Sequence, residues 1–275
     1  MYIHLFCKSS TIRRVVLRKT KIMSVQVIPK ENQGYGAFNG GEIIENKPIG
    51  FPQDGGEGKP FSNLFYWAYA EAKVESTIGL HPHQGFEIMS FVLNGKIEHF
   101  DTQLNDWKSL NKGDAQIIRA GKGISHAEKM GEGVVMFQIW VDPSLQKTMQ
   151  QPASYDDYRH EDFPVKIEDG ISIKTYSGDG APLTMDAPGM NISEWSVAKG
   201  SFEKTVDLQK IYSIYVLEGE VKLNGEKANQ DAFVIIQDVS EIKIETAGEG
   251  KLFVIASDKK LNYPTYAEMM QAKMR

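Results

Sequence analysis

A single cysteine, Cys7, is all that the 275 residues contain. No internal disulfide can form, a disulfide-stapled secreted scaffold is excluded, and a reducing, cytoplasmic location is expected. Long apolar runs are missing as well: no stretch approaches the roughly 18 consecutive apolar residues of a membrane span, so no membrane insertion is expected. Basic charge is not in excess. With 31 Lys and Arg against 36 Asp and Glu, a formal charge of -5, the chain lacks the concentrated basic surface of a nucleic-acid binder, and direct DNA contact is not expected. Helical periodicity is scarce and confined to residues near 144–158 and to the terminal YPTYAEMMQAKMR. There Tyr266, Met269, Met270 and Met274 recur along one helical face, read as core packing.

What is present describes a turn-rich globular chain: 41% hydrophobic, 24% charged, 25 glycines. The length suffices for one large domain or two ordinary ones. The first thirty residues stand apart, with Lys8, Arg13, Arg14, Arg18, Lys19, Lys21 and Lys30 and no acid before Glu31. Basic residues interrupt every apolar run there, so a secretory signal is not expected. A transit peptide fits the composition, but MSVQVIPK from Met23 reads like a natural start, which makes residues 1–22 an upstream extension, the preferred reading.

An internal repeat organises the rest. FVLNGKI at 91–97 returns as YVLEGEV at 215–221, and KGDAQII at 112–118 returns as NQDAFVII at 229–236. The offset is 124 residues from Gly95 to Gly219 but 117 from Asp114 to Asp231, so the second copy carries a shorter hairpin. Short apolar runs such as MSFVL, VVMFQIW, IYSIYVL and KLFVIAS, bounded by Gly, Asn or Asp, read as strands. Pro143, Pro152 and Pro164 break the pattern near 143–165. The expectation is an all-β protein of two barrels with a short C-terminal helix: an extension at 1–30, one barrel at 31–150 and a second at 151–275.

All six histidines, His4, His81, His83, His99, His126 and His160, precede residue 161. In HPH, two residues apart on a strand, His81 and His83 project from one face and can share an ion. That pair alone is weak, because half-buried imidazoles are common. AGKGISHAEKM supplies a second i, i+2 pair, His126 and Glu128, after a glycine-rich turn. Two such pairs on facing strands make a three-nitrogen, one-oxygen set that suits Fe(II), Mn(II), Ni(II), Co(II), Cu(II) or Zn(II). Glu87 competes for the carboxylate place, since it shares parity with His81 and His83. Gly85 between them marks a bulge that would turn Glu87 away and leave it a hydrogen-bonding neighbour or alternative ligand. His99 reads as a structural or surface histidine, and His4 and His160 as solvent groups. In the second copy, Thr205 falls at the place of His81, Asp207 at His83, Ile211 at Glu87 and Lys243 at His126. That set cannot build the site, so the second barrel is expected to be metal-free.

HPHQGFEIMSFVLNGKIEH, KGDAQIIRAGKGISHAE and FQIWVDP resemble the pirin family of two-barrel cupins, and YVLEGEVKLNG resembles that family's second cupin. The resemblance covers roughly residues 31–258; the basic first 22 residues and the ending after about Ser257 have no match. It implies two cupin (jelly-roll) barrels and one divalent metal, iron first, on His81, His83, His126 and Glu128, which favours Glu128 over Glu87. It also implies one of two functions. The first is a dioxygenase that opens the ring of a flavonol such as quercetin with O2, with Glu128 as catalytic base for the 3-hydroxyl. The second is a metal- or redox-dependent regulator that binds a protein partner. Another cupin reaction is a third, lower option.

Overall fold

The computed structural model describes residues 25–178 and 180–273. Cys7, His4, the basic segment 1–22, Met23 and Met274 lie outside the described residues. The described residues build two seven-stranded and two four-stranded antiparallel sheets. In the first half the large sheet runs Ser154–Tyr158, Ala115–Arg119, Glu87–Asn94, Val135–Val141, Leu64–Ala72, Ile43–Ile49, Gly34–Phe38. In the second it runs Val25–Ile28, Phe233–Ile236, Lys210–Glu218, Gly250–Asp258, Met190–Val197, Ile171–Ser177, Val165–Glu168. The two orders correspond strand for strand, as the repeat requires. Gly95 and Gly219 close equivalent turns at φ +77° and +86°, a region that only glycine enters without strain.

The large sheets pack face to face. Because side chains alternate along a strand, odd-numbered residues such as Phe91, Phe137, Ile139 and Trp67 meet Tyr215, Phe233 and Phe253 in one shared aromatic core. Their alternates line the barrels. In the second barrel the interior is apolar, with Ile214, Val234, Val254, Ile242, Ile244 and Leu223 all buried. In the first barrel the strand registers put Ser90, Gln116, Gln138, His126, Glu128 and His99 at those same six places. Polar residues thus form a middle layer there, between an apolar cluster around Val92, Ile97 and Met136 and another around Ile88 and Ile118. By register Ile242, not Lys243, stands where His126 does; Lys243 faces outward and pairs with Glu203 at 2.9 Å. The sequence offset was one residue out because Asp231 stands by register at Gly113 rather than at Asp114, and the connection that follows is two residues shorter in the second copy.

Three further expectations change. Val25–Ile28, inside the expected extension, completes the second barrel's large sheet by pairing with Phe233–Ile236. Ser154–Tyr158, placed with the second barrel and within a helical region, is instead an edge strand of the first, and only Leu145–Thr148 is helical there. The strand wins because Tyr155 covers the polar layer with its ring. The terminal helix Tyr266–Lys273 forms, but it buries Ala267 and packs the Tyr266 ring on Phe65 and Phe86, while Met269 is exposed. The methionine stripe is therefore not its core face.

Candidate metal centre

Ser76–His83 and Ile124–Met130 pair antiparallel, with His81 directly opposite His126. The register slips between His126 and Glu128, because Gly79 and Leu80 together oppose Ala127. This one-residue bulge inverts the alternation, so Ile78 below it and His81 and His83 above it all point into the barrel. Bulges re-aim side chains in this way beside functional sites. The carbonyl of Gly79, within the bulge, accepts from Nδ1 of His81 at 2.8 Å, leaving the lone pair of Nε2 for the barrel mouth.

The ring nitrogens of His81, His83 and His126 come within 4.8 Å of one another. Ring centroids are 4.3 Å apart for His81 and His126 and 4.8 Å for each of the other two pairs. Both nitrogens of His126 and Nε2 of His83 are buried without a hydrogen-bond partner among the described residues. Buried polar atoms left unpaired call for a ligand or water. Burial first, then the neighbouring imidazoles, holds His126 well below its ordinary range, and burial followed by His81 brings His83 down to about 4. Neutral imidazoles with open lone pairs fit a divalent transition metal.

Glu128 is fully buried but stands outside that three-histidine group. Gln138 Nε2 donates to its Oε2 at 2.8 Å and Ser90 Oγ to its Oε1 at 3.3 Å. Trp140 Nε1 donates to Gln138 Oε1 at 3.1 Å, turning the Gln138 amide toward the carboxylate, and the Trp140 ring meets His83 edge-on at 4.7 Å. Burial raises the pKa of Glu128 against the lowering effect of His99 and these donors. His99 is no surface group. It is completely buried, its Nε2 is 3.0 Å from Asp101 Oδ2, and it stacks on Tyr155 at 4.6 Å. Gln116 joins it to the layer, donating to Ser90 Oγ at 3.1 Å and accepting from Tyr155 at 3.0 Å.

Glu87 is not at the centre. Gly85 turns the chain at φ +84°, and the next strand places Glu87 on the face shared with the second barrel. There it accepts from the backbone N–H groups of Asp186 and Ala187 at 2.7 and 2.8 Å and lies 3.6 Å from Arg119 Nε. His160 is exposed and contacts Asp114 and Glu161. Sequence reasoning passed over Ser90, Gln116 and Gln138. Their signal was present: each is a lone polar residue inside an apolar run, at the parity that faces the barrel.

Residues 51–141 match the pirin family model. A pirin-like protein of Caulobacter vibrioides is 26% identical over 186 residues, 64% of this chain and 67% of that one. A quercetin 2,3-dioxygenase of Escherichia coli is 26% identical over 181 residues, 64% of this chain and 74% of that one. Among solved structures, the bacterial pirin of Escherichia coli in complex with nickel(II) has a TM-score of 0.70 at 21% identity, covering 86% of this chain and all of that one. That likeness bears on the fold, two cupin barrels. Its duplicated barrels and the matching segment around the histidine cluster make this chain similar to the pirin family.

Proposed function

We propose that this protein is a metal-dependent dioxygenase that opens the ring of a flavonol-type substrate with O2. The observation that carries the reading is the trio His81, His83 and His126, with its unpaired buried nitrogens above a polar layer that contains Glu128. A divalent transition metal held by these imidazoles, Fe(II) first and Mn, Ni, Co, Cu or Zn as alternatives, would supply Lewis acidity and a site for O2. Glu128 completes the proposed ligand set and serves as base. Its Oε1, accepting only the long bond from Ser90, is the oxygen free to take the proton of the flavonol 3-hydroxyl. Gln138, itself positioned by Trp140, keeps the other oxygen fixed. The open cleft of about 510 Å³ beside His83, bordered by Pro82, Gln84, Lys122 and Ile124, is the entry for a planar aromatic substrate. Similarity to a quercetin 2,3-dioxygenase supports the reaction class. No described helix is long and apolar enough to cross a membrane, and the proposed location is the cytoplasm.

Aerobic turnover of quercetin by protein of known metal content tests this reading. Ring cleavage is expected with at least one loaded metal, and Glu128→Gln should bind the metal but lose cleavage. No quercetin consumption with Fe, Mn, Ni, Co or Cu loaded would end the dioxygenase assignment. A second reading, binding of a regulatory protein partner according to metal state, is favoured by the exposed Leu80 and Trp107 on the strands of the histidine-bearing sheet.

A further inference from the structure

Where the two large sheets face each other, their shared core stops short at one end and leaves an open cleft of about 530 Å³. Both halves of the chain build it. The first contributes Tyr69 and the Lys112–Gly113 turn, the second Lys174, Tyr176 and Glu194. It lies on the inter-barrel face of the sheets, with the exposed His160 at its rim, whereas His81, His83 and His126 point into the first barrel.

The polar groups in this cleft are poorly matched to one another. Lys174 and Glu194 are direct cross-strand partners, yet Glu194 makes no hydrogen bond or ion pair with the described residues and feels Lys251, Lys174 and Lys112 only through space. The Lys174 ammonium is committed elsewhere: it donates to Gly113 O at 3.2 Å and lies 5.1 and 5.0 Å over the Phe163 and Tyr176 rings. Burial lowers the Lys174 pKa and raises that of Glu194, so both charges are short of solvation. Lys251 is neutralised by Glu218 at 2.8 Å. What remains is two cationic donors, Lys112 and Lys174, facing one half-buried carboxylate acceptor across a floor of tyrosine and leucine. A half-buried carboxylate with no partner among the described residues, beside a half-buried ammonium that makes one hydrogen bond and an exposed lysine, all in a preformed concavity, is the feature of a ligand site.

We propose that this cleft binds a small aromatic carboxylate bearing a hydroxyl or amino group. The ligand carboxylate bridges Lys112 and Lys174, its hydroxyl or amino group donates to Glu194, and its ring packs beside Tyr69 and Tyr176. A single cation would accept any anion; the Glu194 acceptor opposite the lysines is what selects for a donor at the far end of the ring. Because the walls come from both barrels, the ligand would also tie them together and raise the unfolding temperature.

Isothermal titration of the full chain with 4-hydroxybenzoate, benzoate and 4-hydroxybenzyl alcohol tests the site. 4-Hydroxybenzoate should bind with a Kd of about 1 mM or tighter, and each of the other two about tenfold more weakly. Lys174→Met and, independently, Lys112→Met should weaken both carboxylates about tenfold. Glu194→Met, which removes the acceptor, should make 4-hydroxybenzoate and benzoate bind alike. His126→Ala, which alters only the metal centre, and Lys227→Met, a surface charge control, should bind like the unmodified protein. The two lysine variants guard against misfolding of either one, and circular dichroism checks each. No binding at about 5 mM, equal affinity for the acid and the alcohol, indifference to both lysine substitutions, or loss of binding in His126→Ala would each overturn the proposal.

Discussion

Glu87→Gln, followed across pH, measures what the inter-barrel contact costs. The carboxylate is 1% exposed, and burial pushes its pKa from an ordinary 4.5 to about 7, against the lowering effects of two backbone donors and Arg119. Between pH 4.5 and 7 the folded protein therefore keeps a proton that the unfolded chain has released. Stability from this group falls as pH rises through that window, and the full penalty is present above it. At about 1.4 kcal/mol per pKa unit, the shift corresponds to ~3 kcal/mol. Glutamine does not titrate. Urea unfolding of both proteins, read by tryptophan fluorescence at intervals from pH 4.5 to 7.5, should show the variant gaining about 3 kcal/mol on the wild type over that range. Taking the difference removes the contributions of other buried acids such as Glu45 and Glu128. A flat difference would refute the reasoning. It would mean that the Asp186 and Ala187 amides together with Arg119 outweigh desolvation, so that Glu87 is ionised throughout.

Gln138→Leu should lower stability by about 1–3 kcal/mol, because it removes the 2.8 Å donor to a fully buried carboxylate; thermal unfolding at neutral pH checks it. His126→Ala should weaken Ni(II) or Co(II) binding by at least about 100-fold, measured by titration of metal-free protein, since it deletes the most buried of the three imidazoles. Gly219→Ala should cost more than Gly95→Ala, both above about 1 kcal/mol. A methyl at 219 would run into the carbonyl of Glu249, whereas at 95 it would meet the movable Val134 side chain at 2.7 Å. Equal losses in equilibrium unfolding would contradict that comparison.

Much of this architecture could be read from local pattern. Short β-branched and aromatic runs, punctuated by glycine turns, defined the strands. The repeat of FVLNGKI as YVLEGEV implied two copies of one sheet, and Gly95 and Gly219 close the same turn in each. The parity of His81 with His83, and of His126 with Glu128, followed from the two-residue period of a strand. Such features depend on neighbours in sequence, so the sequence alone determined them.

Tertiary structure decided the rest, because pairing and facing are choices made between distant segments. Both faces of the large sheets are buried, one in the shared core and one in a barrel, so hydrophobicity could not say which face each residue took. Glu87 therefore went to the barrel interface although its parity matched the histidines. One bulged residue at Gly79–Leu80 inverted the alternation and aimed His81 and His83 inward; Gly79 is a local hint of a bulge, but only the pairing with Ile124–Met130 shows that the bulge forms there. Val25–Ile28 crosses the length of the chain to pair with Phe233–Ile236. The polar layer of Ser90, Gln116, Gln138 and His99 became visible only when strand register lined these residues up beside Glu128, in the places that the second barrel fills with Ile214, Val234, Val254 and Leu223.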